Sequence, residues 1–135
     1  TSLEQMLIDI AGLTDERGLK IAVRGMKLII PKELQFTAER TLASNLRPAT
    51  ADNDVNAVNS MGMIPEGAVV NHFLTDTDAF FIMTDAPNGF KLFQRTAIKT
   101  AMEGDFDTGN SRFKARERYS FGVSDWRSVF GTPGA

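Results

Sequence analysis

Few residues in this chain could do chemistry. His72 is the one histidine, so any imidazole base must be this side chain. No serine or cysteine nucleophile stands near it in sequence. It lies in the apolar stretch Val69-Val70-Asn71-His72-Phe73-Leu74, where a packed or hydrogen-bonded structural histidine is the expectation. Two pairs of carboxylates, Asp76 with Asp78 and Asp105 with Asp107, carry the i, i+2 spacing of cation ligands. A hard cation needs several more oxygens, and neither pair fits the calcium-loop pattern. Turn chemistry, in which an Asp side chain bonds the backbone two residues on, is the simpler reading of both. A small metal-dependent enzyme would require Asp76, Asp78 and His72 to converge in space.

The strongest chemical signal is electrostatic. Between Arg112 and Trp126 alternate positions separate into two rows. One holds Phe113, Ala115, Glu117, Tyr119, Phe121 and Val123; the other holds Arg112, Lys114, Arg116, Arg118, Ser120 and Ser124. Successive side chains of a strand point to opposite faces, so the pattern predicts a half-buried strand with its aromatic row inward and a cationic row outward. Four like charges at strand spacing repel one another unless anions answer them. No acidic row of matching length exists elsewhere in the chain, so the counter-charge is expected on a partner or on distant carboxylates. If the partner were nucleic acid, stacking would need aromatic rings on the cationic face, and here Tyr119 and Phe121 alternate to the other one.

The elements that must position these residues follow from periodicity. Leu3, Met6, Leu7 and Ile10 fall at helical spacing behind Ser2, a suitable N-cap, and Gly12 ends the helix. Thr14 to Gly18 reads as a turn. Gly25 to Ile30 reads as a strand, and Pro31 opens a helix running to about Leu46, with Leu34, Ala38, Leu42 and Leu46 on one face. Ala49 to Gly62 is polar and weakly periodic, which predicts a mobile or binding loop. Strands are expected over Ala68 to Leu74, Ala79 to Met83 (buried on both faces), Phe90 to Gln94 and Ala97 to Glu103. The last should pair with the long cationic strand across a turn at Gly104 to Asn110. Helix first and strands later, with helices flanking a mostly antiparallel sheet, gives an α+β class.

Composition narrows the function classes. The 135 residues make one domain with an ordinary apolar share of 42%, enough for a core without staples. A net charge of −2 argues against general nucleic-acid affinity. Absence of cysteine removes disulfides, thiolate nucleophiles and cysteine-held metals. No apolar run approaches the length of a membrane span, and the glycine spacing matches no nucleotide loop.

Several short segments, in order, resemble one family. They are Lys27-Leu28-Ile29-Ile30-Pro31 entering a helix, the loop Arg47 to Ala57, Asn71-His72-Phe73-Leu74-Thr75-Asp76, and Phe80-Phe81-Ile82-Met83-Thr84-Asp85. They close with Gly104 to Asn110 leading into Lys114 to Gly122 and Asp125-Trp126-Arg127. From Gly25 onward the chain resembles the C-terminal part of a tailed-bacteriophage major capsid protein of the HK97-like fold. The resemblance implies a structural subunit with no enzymatic activity and no cofactor. Three regions follow from it: 1–30, the end of a peripheral-domain helix and a connecting strand; 31–103, an axial-domain-like region; and 104–135, a long peripheral-domain strand and the C-terminus. Such subunits carry an N-terminal arm, an extended loop and a long spine helix, so this chain is expected to be a fragment that begins in mid-domain. Implied partners are other copies of the subunit in pentamers and hexamers, with scaffolding or portal proteins and packaged DNA as further contacts and no membrane. The implied location is the virion, with assembly in the host cytoplasm. Subunit-interface candidates are the cationic row Arg112, Lys114, Arg116 and Arg118, with Asp52, Asn53 and Asp54 of the polar loop near the centre of a capsomer.

Overall fold

A computed structural model describes residues 2–47 and 54–134, and they form two compact units. The first comprises 1–87 with 126–135, the second 88–125. The three-region division above follows another line; its boundary at 103/104 falls inside a strand of the second unit.

The first unit is α+β. Helix α1 (Ser2–Ala11) buries Leu3, Leu7 and Ile10, the stripe its spacing dictates, and the Gly12 amide closes it by donating to the Ile8 carbonyl at 3.0 Å. Strand β1 (Gly25–Ile30) buries Leu28 and Ile30 against that stripe. Gly25 sits where a Cβ would lie 3.0 Å from both Ile82 and Leu7, so helix and sheet approach at a position that only glycine fills without displacement. After Pro31 a single 3-10 turn (Lys32–Leu34) leads into α2 (Gln35–Ala43). That helix ends three residues before Leu46, which is exposed.

The sheet runs β2-β1-β3-β6, with β2 (Ala68–Val70) parallel to β1 and the other pairings antiparallel. In β3 (Phe80–Thr84) only Ile82 is fully buried, so burial on both faces does not hold along it. The final strand, β6 (Val129–Thr132), pairs with β3 through Ile82 opposite Phe130 and Phe81 opposite Gly131. Sequence reasoning missed it. Ile10, Ile30 and Ile82 are the most deeply buried large apolar side chains of the core.

Two expectations need correction here. The loop read as mobile over Ala49 to Gly62 lies outside the described residues for 49–53, but 54–62 are anchored. They include a short helix, α3 (Ala57–Ser60), with Asn56 and Val58 buried. The Asn56 amide nitrogen donates to the carbonyls of Thr41 (2.6 Å) and Ser44 (2.9 Å), satisfying acceptors that the end of α2 leaves open. The stretch Ala68 to Leu74 is a strand only to Val70. There the Asn71 side chain accepts the Phe73 amide at 3.0 Å and turns the chain.

The second unit is a long β-hairpin. Strand β4 (Phe90–Gly104) is continuous where two strands were expected, and β5 (Ser111–Val123) stops before Trp126. Trp126 instead starts a 3-10 turn (Trp126–Ser128) in the first unit.

Candidate subunit interface

The turn joining β4 to β5 is built by Asp105. Its carboxylate accepts the Asp107 amide at 3.2 Å and the Thr108 hydroxyl at 2.9 Å, and Gly109 takes the left-handed conformation (φ 67°) that lets the chain return. Asp105 also pairs with Arg112 at 3.5 Å. Both i, i+2 carboxylate pairs therefore do turn chemistry, since the Asp78 amide likewise donates to Asp76 at 3.4 Å. Among the described residues no three His, Asp or Glu side chains gather as a ligand set. His72 is exposed in a turn, not packed in a strand.

The ladder between β4 and β5 sorts the hairpin side chains. Phe90 faces Val123, Leu92 faces Phe121 and Gln94 faces Tyr119 at one end; Thr100 faces Ala115 and Met102 faces Phe113 at the other. Between them β4 slips by one residue twice, from Gln94 to Thr96 and from Thr96 to Lys99. Each slip is a bulge that would swap the faces of the strand, and two slips restore them. Even-numbered β4 residues therefore share a face with odd-numbered β5 residues at both ends, and this face is apolar. The edge-to-face contact of Tyr119 with Phe121, 5.5 Å between ring centres, agrees with their common side.

The opposite face is cationic. Arg112, Lys114, Arg116 and Arg118 follow one another over roughly 20 Å at about 3.4 Å per residue. Lys99 joins them directly across from Arg116, while Glu103 lies across from Arg112. Sequence reasoning missed Lys99, because only the register assigns it to this face. Like charges directly opposite destabilise a ladder. Among the described residues Lys99, Lys114, Arg116 and Arg118 form no ion pair. Of the aromatic residues only Phe93, across from Ser120, falls on this side. Of the loop candidates, Asp52 and Asn53 lie outside the described residues. Asp54 is exposed, and its carbonyl accepts the Arg47 amide at 2.8 Å.

The inward orientation expected for the aromatic row is overturned. Phe113, Tyr119, Phe121 and Val123 do share one face, but it is open: Phe121 is 76% exposed and Tyr119 55%. Period-2 alternation separates two faces without saying what covers either one.

The described geometry belongs to the class of α+β proteins whose distinctive chemistry lies on an exposed surface. A family model described as phage capsid protein matches residues 4–131, nearly the whole chain, and the chain belongs to that family. No curated protein sequence matches it. Membership implies a structural role, a place in the virion and assembly with other capsid subunits. Among the described residues no helix is long and apolar enough to cross a membrane.

Proposed function

We propose that this chain is a structural subunit of an icosahedral bacteriophage capsid, built in the HK97-like manner and assembled in the host cytoplasm, and that the cationic face of its hairpin meets carboxylates of a neighbouring copy. The observation that carries the reading is the imbalance of charge. Residues 88–125 hold seven Lys and Arg against five Asp and Glu, while the rest of the chain holds eight against twelve. The unpaired cations of one copy thus have an acidic surface available on the next, and heterologous contacts of that kind close rings. Exposed charges of this sort set register and encounter rate more than raw affinity.

The test is the double charge reversal Arg116→Glu with Arg118→Glu. Sedimentation velocity of the wild-type chain at low salt should show association that weakens as salt rises, and the reversed chain should lack that salt-sensitive component while keeping its circular dichroism. If the reversal leaves salt-dependent association unchanged, the row is only a solvated face. If duplex DNA binds the row with a log–log salt slope of about −3 to −4, as four phosphate contacts would give, the row serves nucleic acid instead.

A further inference from the structure

The apolar face of the hairpin is as unusual as the cationic one. Eight of its large side chains, from Tyr119 at 55% to Phe113 at 79%, are more than half exposed. Together they offer on the order of 1,000 Å² to solvent, against roughly 800 Å² per partner in a standard specific interface. Monomeric soluble proteins rarely show a contiguous patch of that size. A two-stranded ribbon with both faces open is also marginal in water without a covering layer.

The arrangement of the face indicates its occupant. Six levels of side chains point to this side, leaving aside Gly104 with Ser111 at the turn itself. The outermost are Phe90 with Val123 and, near the turn, Met102 with Phe113. Inside them a bulky rung, Leu92 with Phe121, lies towards one end, and a small one, Thr100 with Ala115, towards the other. The central two are Gln94 with Tyr119 and then a level inside the irregular stretch, where Glu117, between the Arg118 and Arg116 pairings, faces the two β4 residues Ala97 and Ile98. The sequence of rungs is therefore complementary to its own reverse.

We infer that this face binds the identical face of a second copy, the two hairpins stacked antiparallel about a two-fold axis between the third and fourth rungs. In that stack the Leu92 and Phe121 rung of one copy lies over the Thr100 and Ala115 rung of the other, bulk into space. The apolar end rungs cover each other. Glu117, a carboxylate carried among these apolar side chains, comes level with Gln94 and Tyr119, whose amide and hydroxyl are both donors to a carboxylate. A parallel stack would bring the Glu117 levels of both copies together, burying two like charges near each other, and would set large rungs on large ones. Sheets packed in this way lie about 10 Å apart. The cationic row points away from this contact and stays available, so the inference stands apart from the role proposed for that row.

The experiment is run on the whole chain at about 0.5 M salt, where screening within a few ångströms silences contacts between exposed charges. Sedimentation equilibrium should show a dimer, and Phe113→Glu should raise its dissociation constant at least about 100-fold with unchanged circular dichroism. Leu92→Cys and Ala115→Cys are made as separate chains. The protein has no cysteine of its own, and the sheet spacing exceeds disulfide reach, so a short bis-maleimide reports proximity. A mixture of the two variants should give cross-linked dimers, while either alone should not, because equivalent positions lie about 20 Å apart along the stack. Three outcomes overturn the inference: a monomer at all concentrations up to roughly 100 µM, a dimer indifferent to Phe113→Glu, or efficient cross-linking of Ala115→Cys with itself.

Discussion

Phe121 presents an aromatic ring that meets Tyr119 edge to face at 5.5 Å and is otherwise largely in solvent. A buried aromatic truncated to alanine costs about 3–5 kcal/mol. An exposed one with a single ring partner should cost no more than that pair contributes, about 0.5–1.5 kcal/mol. We therefore expect Phe121→Ala to lower hairpin stability by about 1 kcal/mol at protein concentrations where the chain is monomeric. The measurement is convenient, because Tyr119 is the only tyrosine and Trp126 the only tryptophan of the chain, one in each unit. Urea unfolding followed at Tyr119 should shift, and the Trp126 signal should not. Arg116→Ala and Arg118→Ala should leave both signals within about 1 kcal/mol of wild type, since exposed charges contribute little. A loss above about 3 kcal/mol for Phe121→Ala would mean that the ring is covered within a single chain. The alternation that named the two rows was legible in the sequence. Whether a row is covered depends on what lies above it, and no local pattern encodes that.

Among the elements, α3 and the end of α2 depend on Asn56. Its buried amide bridges two carbonyls of the α2 terminus, while the Asn59 amide nitrogen donates there to the carbonyls of Ser44 at 3.1 Å and Ala43 at 3.3 Å. Asn56→Ala removes the side-chain donor of the Thr41 carbonyl, in a site that water reaches poorly, and leaves Ser44 with Asn59 alone, a change that costs about 1–3 kcal/mol. Thermal unfolding followed at Trp126 should fall accordingly, while Asp54→Ala, at an exposed position, should leave it within about 0.5 kcal/mol. Equal effects from the two would show that the segment is not anchored through Asn56. Polar residues hid this anchor from a reading based on apolar periodicity, because Asn is common both in loops and in buried caps. Strand β6 was hidden differently. Four residues containing a glycine carry too little alternation to register, and its place is decided by pairing with β3, far away in sequence. Helix α1, strand β1 and the turn after β4 were all legible, since each is dictated by neighbours within a few residues.

For the whole molecule, the two units should differ in how they open. The first has a layered core in which Leu28, Ile30 and Ile82 are sealed beneath helices and paired strands. Its sheet amides should exchange only through opening of that core. The second is a ribbon with no residue in the buried class among its strands, so its amides are held by the ladder alone. In dilute solution, amides of the β4–β5 ladder should therefore exchange at least about 100-fold faster than that of Ile82. Raising the concentration should slow the hairpin amides if apolar faces stack, and leave Ile82 unchanged. In the Phe113→Glu chain the hairpin amides should stay fast at every concentration. Hairpin protection equal to that of Ile82 in dilute wild-type solution would show that the ribbon is stable by itself, and the physical reason for expecting a second layer over it would fall.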